Sequence, residues 1–183
     1  MFGHEDGESY DMAIVDRVFD VLDRVAPPTV AQAHCDIPCG IYDPHAAQIA
    51  ALTVIRMVQL IEALPMPGQG ASKADFDLYG MQLSRYTTVK EQHASLCEHE
   101  LIILWTDYFK PEHLQKHPNL HDVVWRTTKL TSTVKQQLSM EAAQQLLAGV
   151  QEIAEIFWDT KGVATRRMPS NQGAVGGELV GPA

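Results

Sequence analysis

Apolar residues recur at helical spacing through most of this 183-residue chain, in four segments between Pro44 and Gly162. Proline and glycine separate the segments, and these residues interrupt or end helices. The apolar positions are Ile49, Leu52, Ile55, Val58 and Leu64 in the first segment; Leu101, Leu104 and Trp105 in the second; Val123, Leu130, Val134 and Leu138 in the third; and Leu146, Val150, Ile153 and Phe157 in the fourth. Each stripe has to be buried against other helices. The pattern therefore predicts an all-α fold, a four-helix bundle with short connections.

Three of the predicted helices have capping residues at their starts. Asp43 stands before Pro44, and proline suits the first position of a helix because it has no amide hydrogen to satisfy. Ser72 with Asp75 resembles a capping box, with aspartate in the usual place of glutamate or glutamine. Ser139 precedes the fourth apolar segment. We therefore expect helices to begin close to Pro44, Ser72 and Ser139.

The charge and hydropathy patterns exclude two kinds of partner. The chain holds 14 basic and 23 acidic residues, a formal net charge of −9 with neutral histidine. Nucleic acids bind clustered lysine and arginine, so no nucleic-acid partner is expected. No uninterrupted apolar run approaches the length of about 18 residues that spans a membrane, so no membrane partner is expected. The N-terminus lacks the basic start and apolar stretch of an export signal, which favours a cytoplasmic location.

The N-terminal segment, residues 1–33, forms an unusual acidic leader. It contains seven acids and two bases, and an amphipathic helical pattern in it stops at two consecutive prolines. Ala31 and Ala33 then form an A-x-A pattern of the kind that signal-peptidase-like enzymes favour before a cut. The alternative interpretation is that the segment is not cut and forms an N-terminal helix packed on the body of the protein.

The C-terminal segment, residues 163–183, contrasts with the helical middle of the chain. It contains four glycines and two prolines and shows almost no periodicity. This composition predicts a disordered tail.

A compact set of potential metal ligands, His34, Cys35 and Cys39, follows the A-x-A pattern directly. A zinc site is one interpretation of this set, although a structural zinc site takes four ligands and would need Cys97 and a histidine as well. A dithiol redox site is a second interpretation, although its usual spacing is C-x-x-C. The ligand set alone leaves these alternatives open.

Cleavage after Ala33 would give the set further donors. His34 would become the N-terminus, and its amine, the amide nitrogen of Cys35 and the two thiolates could then lie in one plane around a metal. The imidazole of His34 could reach an axial position. Planar nitrogen and sulfur donors of this strength suit Ni(II) or Cu(II) better than tetrahedral zinc.

The string HCDIPCGIYDP, residues 34–44, resembles the hook that opens mature nickel-containing superoxide dismutases. Two later stretches, residues 89–125 and 153–161, are similar to the same family, so the resemblance runs from His34 to about Lys161. It implies a bundle of four antiparallel helices, a homohexamer and one nickel ion per subunit. The implied reaction converts superoxide to oxygen and hydrogen peroxide by cycling between Ni(II) and Ni(III).

The resemblance also implies a set of nickel ligands and a maturation step. The ligands are His34 through its amine and imidazole, Cys35 through its amide nitrogen and sulfur, and Cys39 through its sulfur. A dedicated peptidase would remove residues 1–33 as a propeptide. The mature protein would then consist of the hook and the bundle, residues 34–162, followed by the tail.

Four further residues receive catalytic roles from the resemblance. Tyr42 would stand over the open axial face of the metal, where it would order water and limit access. Tyr108 would line the same pocket, Asp36 would shape the hook, and Lys110 would add positive charge for an anionic substrate. The alternatives are a core residue at a helix end for Tyr108 and a solvated charge for Lys110.

Two positions depart from the family pattern. His93 and Ala50 stand where members of the family often have an arginine and a glutamate that hold the axial imidazole. We hypothesise that His93 orients His34 or a neighbouring backbone group instead; its alternative is a histidine whose hydrogen bonds are satisfied within its helix.

Cys97 has apolar neighbours on its helix and is expected to be a buried thiol rather than a ligand. The remaining histidines considered are expected to be surface or loop residues: His99, His113, His117 and His121.

Overall fold

The computed structural model describes residues 40–183, and this part of the chain is mostly helical. Its elements are α1 (His45–Glu62), α2 (Lys73–Ile103), α3 (Pro111–Lys116), α4 (Leu120–Gln136), α5 (Met140–Thr160), β1 (Thr165–Pro169) and β2 (Glu178–Pro182). A π-helical turn, Leu104–Tyr108, follows α2, and a 3-10 turn, Gly173–Val175, separates the strands. The predicted leader and residues 34–39 of the predicted hook lie outside the described residues. Within the described part, no helix has the length and apolar character needed to cross a membrane.

Local capping bonds fix the starts of three helices. The Asp43 carboxylate accepts a hydrogen bond from the His45 backbone N–H at 2.7 Å, and α1 begins at His45, one residue later than predicted. Ser72 and Asp75 form the predicted capping box at the start of α2. The hydrogen bonds from Ser72 hold the pKa of the Asp75 carboxyl below its ordinary value. The Ser139 hydroxyl caps the first turn of α5, as predicted.

The four long helices share one core. α1 packs on α2 and α5, and α4 packs on the same two helices. The largest fully buried side chains include Phe157, Leu101, Leu120, Leu146 and Ile153. α4 and α5 approach closely at Gly149, where an added Cβ would stand 2.3 Å from Thr127 Oγ1. The predicted apolar stripes therefore meet in a common interior, except at Leu64 and Leu138, which lie beyond the ends of α1 and α4; Leu138 is 50% exposed.

A buried lysine closes the C-terminal end of α4. The Lys90 side chain, on α2, donates hydrogen bonds to the backbone carbonyls of Val134, Lys135 and Gln137. The last carbonyls of a helix lack partners within the helix, so an ammonium group is a suitable donor to them. Burial lowers the pKa of Lys90, which is only 5% exposed. The contact joins the middle of α2 to the end of α4.

The prediction of a disordered tail is wrong, and the fold is mostly helical with one small sheet rather than entirely helical. β1 and β2 form an antiparallel two-stranded sheet in which Thr165 pairs with Pro182 and Pro169 with Glu178. Leu179 and Val180 are buried against the helices. The glycines that suggested disorder instead serve the connection between the strands, where Gly173, Gly176 and Gly177 all have positive φ.

Glutamines on α1 and α5 attach this C-terminal hairpin, residues 165–182, to the helices. Gln48, on the first turn of α1, is fully buried; its amide donates to the Val180 carbonyl at 3.0 Å and accepts from the Val180 N–H at 2.7 Å. Gln151, on α5, donates to the Glu178 carbonyl at 2.8 Å and accepts from Arg167 at 3.0 Å. Both attachments join residues distant in sequence, which explains why no local pattern revealed them.

Candidate functional site

A π-helical turn places Tyr108 at the end of α2. In this turn the Phe109 backbone N–H donates to the Leu104 carbonyl at 2.9 Å, five residues back. A π turn shifts the register of the side chains that follow it, and such turns are frequent at functional sites. Here the shift brings the Tyr108 ring onto the end of α5, 4.5 Å from the Phe157 ring centroid.

The structure brings together Tyr42 and Tyr108, the two tyrosines that the sequence analysis singled out. The ring centroids of Tyr42 and Tyr108 are 5.6 Å apart, with their planes inclined at 55°. Tyr42 stands three residues after Cys39 in the sequence, and the Asp43 cap and buried Pro44 fix the chain that follows it. The end of the predicted hook is therefore held beside Tyr108. The roles of the two tyrosines at a metal stay predictions.

Tyr108 is the centre of what we call the aromatic cluster, formed by Tyr42, Tyr108, Phe109, His113 and Phe157. The His113 ring stacks on Tyr108 with centroids 5.5 Å apart and planes at 25°. Phe109 meets Tyr108 edge-on at 5.2 Å. Aromatic pairs at such distances and angles attract beyond the area that they bury. The ring of Tyr108 is therefore fixed by neighbours from α3, α5 and the segment before α1.

The hydroxyl of Tyr108 has a polar partner within this largely apolar cluster. Its oxygen lies 2.6 Å from Thr160 Oγ1, at the last residue of α5. The Thr160 hydroxyl in turn donates to the Phe157 carbonyl at 2.6 Å. The carbonyls of a last helical turn need such donors.

Lys161 supplies positive charge beside the cluster. Its ammonium lies 4.5 Å from the ring centroid of Phe157 and 5.6 Å from that of Tyr108, within the range of cation–π attraction. Lys110, for which the sequence suggested such a role, is exposed, and its backbone N–H donates to His113 Nδ1 at 3.2 Å. Lys161 is therefore the lysine that lies against the Tyr108 ring.

An ion-pair group lies on the same last turn of α5. The Asp159 carboxylate is 2.7 Å from the Lys116 ammonium and 2.6 Å from His117 Nε2. The hydrogen bond from Lys116, with a further contribution from His117, holds the pKa of Asp159 below its ordinary value. This group ties the end of α3 to the end of α5, next to the aromatic cluster.

Cys97 is a buried thiol, as the sequence predicted. Its side chain is fully buried in the core, and burial raises the pKa of the thiol to about 12. Such a thiol stays protonated at neutral pH, whereas a metal ligand has to be a thiolate. Within residues 40–183, moreover, no group of three or more His, Cys, Asp or Glu side chains could hold a metal ion. The zinc alternative also needs Cys35 and Cys39, which lie outside the described residues.

The other predicted site residues divide into two sets. Those on the hook lie outside the described residues: His34, Cys35, Asp36 and Cys39. Of the two departures from the family pattern, Ala50 is buried in the core, and His93 Nδ1 lies 3.0 Å from the Val89 carbonyl on its own helix. That contact accounts for one ring nitrogen of His93 and leaves its proposed action on His34 untested.

Sequence reasoning missed several members of this site. His113 and His117 were expected to be surface or loop residues, but His113 stacks in the cluster and His117 is a partly buried partner of Asp159. Phe157, Thr160 and Lys161 follow one another at i, i+3 and i+4 near the end of α5. Residues at this spacing share a helix face. That spacing could have shown that the three share a face of α5, but not that this face meets Tyr108.

Solved structures of nickel superoxide dismutase match this chain. A native structure at 1.30 Å is 37% identical, with a TM-score of 0.60, and the match covers 70% of this chain and 99% of that one. A structure whose nickel ligation corresponds to the oxidised state is also 37% identical, with a TM-score of 0.59 and the same coverage. The mostly helical architecture is therefore that of nickel-containing superoxide dismutases.

Sequence relatives agree with the structural match. The superoxide dismutase [Ni] of Streptomyces coelicolor is 38% identical over 136 residues, which cover 74% of this chain and 94% of that protein. The superoxide dismutase [Ni] of Streptomyces seoulensis is 39% identical over the same shares. The sequence model of the nickel-containing superoxide dismutase family matches residues 29–161. The chain belongs to that family. The C-terminal hairpin lies beyond the matched residues.

Proposed function

We propose that this chain is a nickel-dependent superoxide dismutase, converting superoxide to oxygen and hydrogen peroxide. One observation carries the proposal: the residues that match the family, 29–161, include both the hook sequence and the whole aromatic cluster. The contact between Tyr42 and Tyr108 supports it, because it joins the end of the hook to the bundle. In the balanced reaction one superoxide loses an electron and becomes oxygen, while a second gains an electron and two protons.

The proposed ligands are His34, Cys35 and Cys39. The N-terminal amine, an amide nitrogen, two thiolates and an imidazole fit nickel by the chemistry of the donor set, since strong nitrogen and sulfur donors favour planar Ni(II). One nickel ion held in this way would supply the electron exchange by alternating between Ni(II) and Ni(III). Asp36 would shape the hook that presents these donors.

The amine ligand requires that residues 1–33 be removed. Only cleavage after Ala33 makes His34 the N-terminus, so the leader would act as a propeptide and a dedicated peptidase would release the active form. The matched residues begin at 29 and so include the A-x-A pattern as well as the hook. The matched range therefore spans the expected cleavage site.

The bundle side of the proposed site consists of Tyr42, Tyr108 and lysines. Tyr42 would order water and limit access to the metal, and Tyr108 would line the same pocket. Lys161, against the Tyr108 ring, and Lys110 would provide local positive charge for an anion approaching a protein of net charge −9. His93 would orient His34. We further propose a cytoplasmic homohexamer of four-helix bundles.

The decisive experiment compares two forms of the chain. One begins at His34, released from an N-terminal fusion by a protease that leaves no extra residue, and the other keeps residues 1–33. Both are loaded with nickel and measured by native mass spectrometry, electron paramagnetic resonance and superoxide decay. We expect one nickel per subunit, a Ni(III) signal, rapid decay and a hexamer only for the form that begins at His34.

Matched cysteine variants make the test specific. Cys35→Ser and Cys39→Ser should each abolish the Ni(III) signal and activity, whereas Cys97→Ser should keep both because that thiol is fully buried in the core. Equal activity with the leader attached would overturn the proposed maturation. Tight zinc binding without superoxide decay would instead indicate a metal-binding protein, and activity without any metal would remove nickel from the proposal.

A further inference from the structure

We infer that Thr160 is a positioning residue for Tyr108. Its hydroxyl oxygen accepts a hydrogen bond from the phenolic O–H of Tyr108, so that Tyr108 can act towards a ligand only as a hydrogen-bond acceptor. The inference deepens the proposed function and rests on it for the placement of Tyr108 at the nickel site. The hydrogen-bond chain itself is independent of any metal, because all three of its members are described residues of the bundle.

The direction of each proton follows from counting donors. Thr160 Oγ1 lies 2.6 Å from the Phe157 carbonyl oxygen and 2.6 Å from the Tyr108 oxygen. A carbonyl can only accept, and a threonine hydroxyl has one proton to give. The Thr160 proton is therefore given to Phe157. The bond between the two hydroxyls then needs the proton of Tyr108, which points at Thr160.

The neighbours of Tyr108 fix its ring but not the direction of its hydroxyl proton. Neighbours from several segments hold the ring: Phe157 at 4.5 Å, His113 stacked at 5.5 Å, and the Lys161 ammonium at 5.6 Å. These contacts fix the position and plane of the ring but exert little control over rotation of its hydroxyl. Thr160 supplies that control, through a hydroxyl that is itself anchored to the backbone of α5.

The consequence concerns the protons that hydrogen peroxide requires. With its own proton directed at Thr160, Tyr108 does not deliver that proton to a ligand. Its remaining lone pair accepts from water or from a protonated product and so orients that molecule. Replacing Thr160 by valine releases the phenolic proton, and Tyr108 then becomes a donor to whatever stands nearest.

The first test uses the full chain without metal. Tyrosine labelled with ¹³C at Cζ reports whether a phenol donates a hydrogen bond, and Tyr108→Phe assigns the Tyr108 signal among the five tyrosines. We expect Thr160→Val to shift this signal and Thr160→Ser, which keeps the hydroxyl, to restore it. Thr53→Val is the matched control, because Thr53 also bonds a carbonyl of its own helix, that of Ile49 at 2.9 Å. An unmoved Tyr108 signal in Thr160→Val would overturn the inference.

The second test uses the nickel-loaded chain that begins at His34. Thr160→Val should lower superoxide turnover several-fold and change the response of the Ni(III) spectrum to added azide, while Thr160→Ser keeps the wild-type values of both. Wild-type turnover and azide response in Thr160→Val would overturn the positioning role while the dismutase stands. An inactive loaded wild type would refute the proposed function, and the ¹³C result would still decide the direction of the Tyr108 proton.

Discussion

The aromatic cluster and the C-terminal hairpin both attach a terminal part of the described chain to the helices, but by different chemistry. In the cluster, side chains meet side chains: Tyr42 packs on Tyr108, and Tyr108 on Phe157. In the hairpin, the side chain of Gln48 meets backbone, pairing with both the N–H and the carbonyl of Val180. The cluster lies within the residues that match the family, and the hairpin lies outside them.

The difference determines how much each region depends on its own sequence. A backbone N–H and carbonyl are the same for nearly every residue type, so the amide of Gln48 places few demands on the strand that it binds. Ring contacts need particular side chains at particular angles. The cluster should therefore respond to substitution of its own members, and the Gln48 attachment of the hairpin mainly to substitution of Gln48 itself.

The largest effect is expected from Phe157→Ala. Phe157 is fully buried and contacts Tyr108, Trp158 and Lys161, so its truncation leaves a cavity at the centre of these contacts. We expect a loss of about 3–5 kcal/mol in the free energy of unfolding, measured by urea denaturation. The nickel-loaded variant should also lose activity, because Tyr108 loses its nearest ring.

Trp125→Ala is the control for that experiment. Trp125 is an aromatic side chain on α4 but is 57% exposed, so its truncation should change the free energy of unfolding by no more than about 0.5 kcal/mol. A similar loss in both variants would mean that the effect follows from removing any aromatic ring, and the cluster would lose its special place in the comparison.

A smaller effect is expected from Gln48→Met, which keeps the side-chain volume but removes both amide contacts. The Val180 N–H and carbonyl then lose their partners, and an unsatisfied buried polar group costs about 1–3 kcal/mol. We expect a total loss within that range, since the end of the hairpin can shift and admit water to one group. Superoxide turnover should stay unchanged, which separates the hairpin from the site.

Gln144→Met provides the matched control, because Gln144 is an exposed glutamine on α5. It should leave the urea midpoint where it is. If Gln48→Met also leaves the midpoint unchanged, the hairpin is not held by this amide. If Gln48→Met instead lowers turnover as strongly as Phe157→Ala, the two regions are not functionally distinct.

The two regions also show which parts of the structure could be predicted. Caps such as Ser72 with Asp75 involve residues three apart, and the sequence predicts them because their cause is local. Gln48 and Val180 are 132 residues apart, and neither shows in the sequence that it will pair with the other. The hook was recognisable from its string of residues, whereas the partner of Tyr108 depends on how α5 packs. The contact of Thr160 with Tyr108 could therefore be identified only from the structure.

The smallest effect is expected beside the cluster, at Asp159. Its pKa is held below the ordinary 3.8, mainly by the hydrogen bond from Lys116, so the ionised form is favoured in the folded protein. The stabilisation is present above the ordinary pKa and is lost as the pH falls through the lowered folded value. In Asp159→Asn the melting temperature should therefore fall less steeply on acidification than in wild type, with a slight decrease at neutral pH. The pair is half exposed, and solvent keeps its contribution small. Parallel acid limbs in the two proteins would show that the Asp159 carboxylate gains nothing from Lys116 and His117.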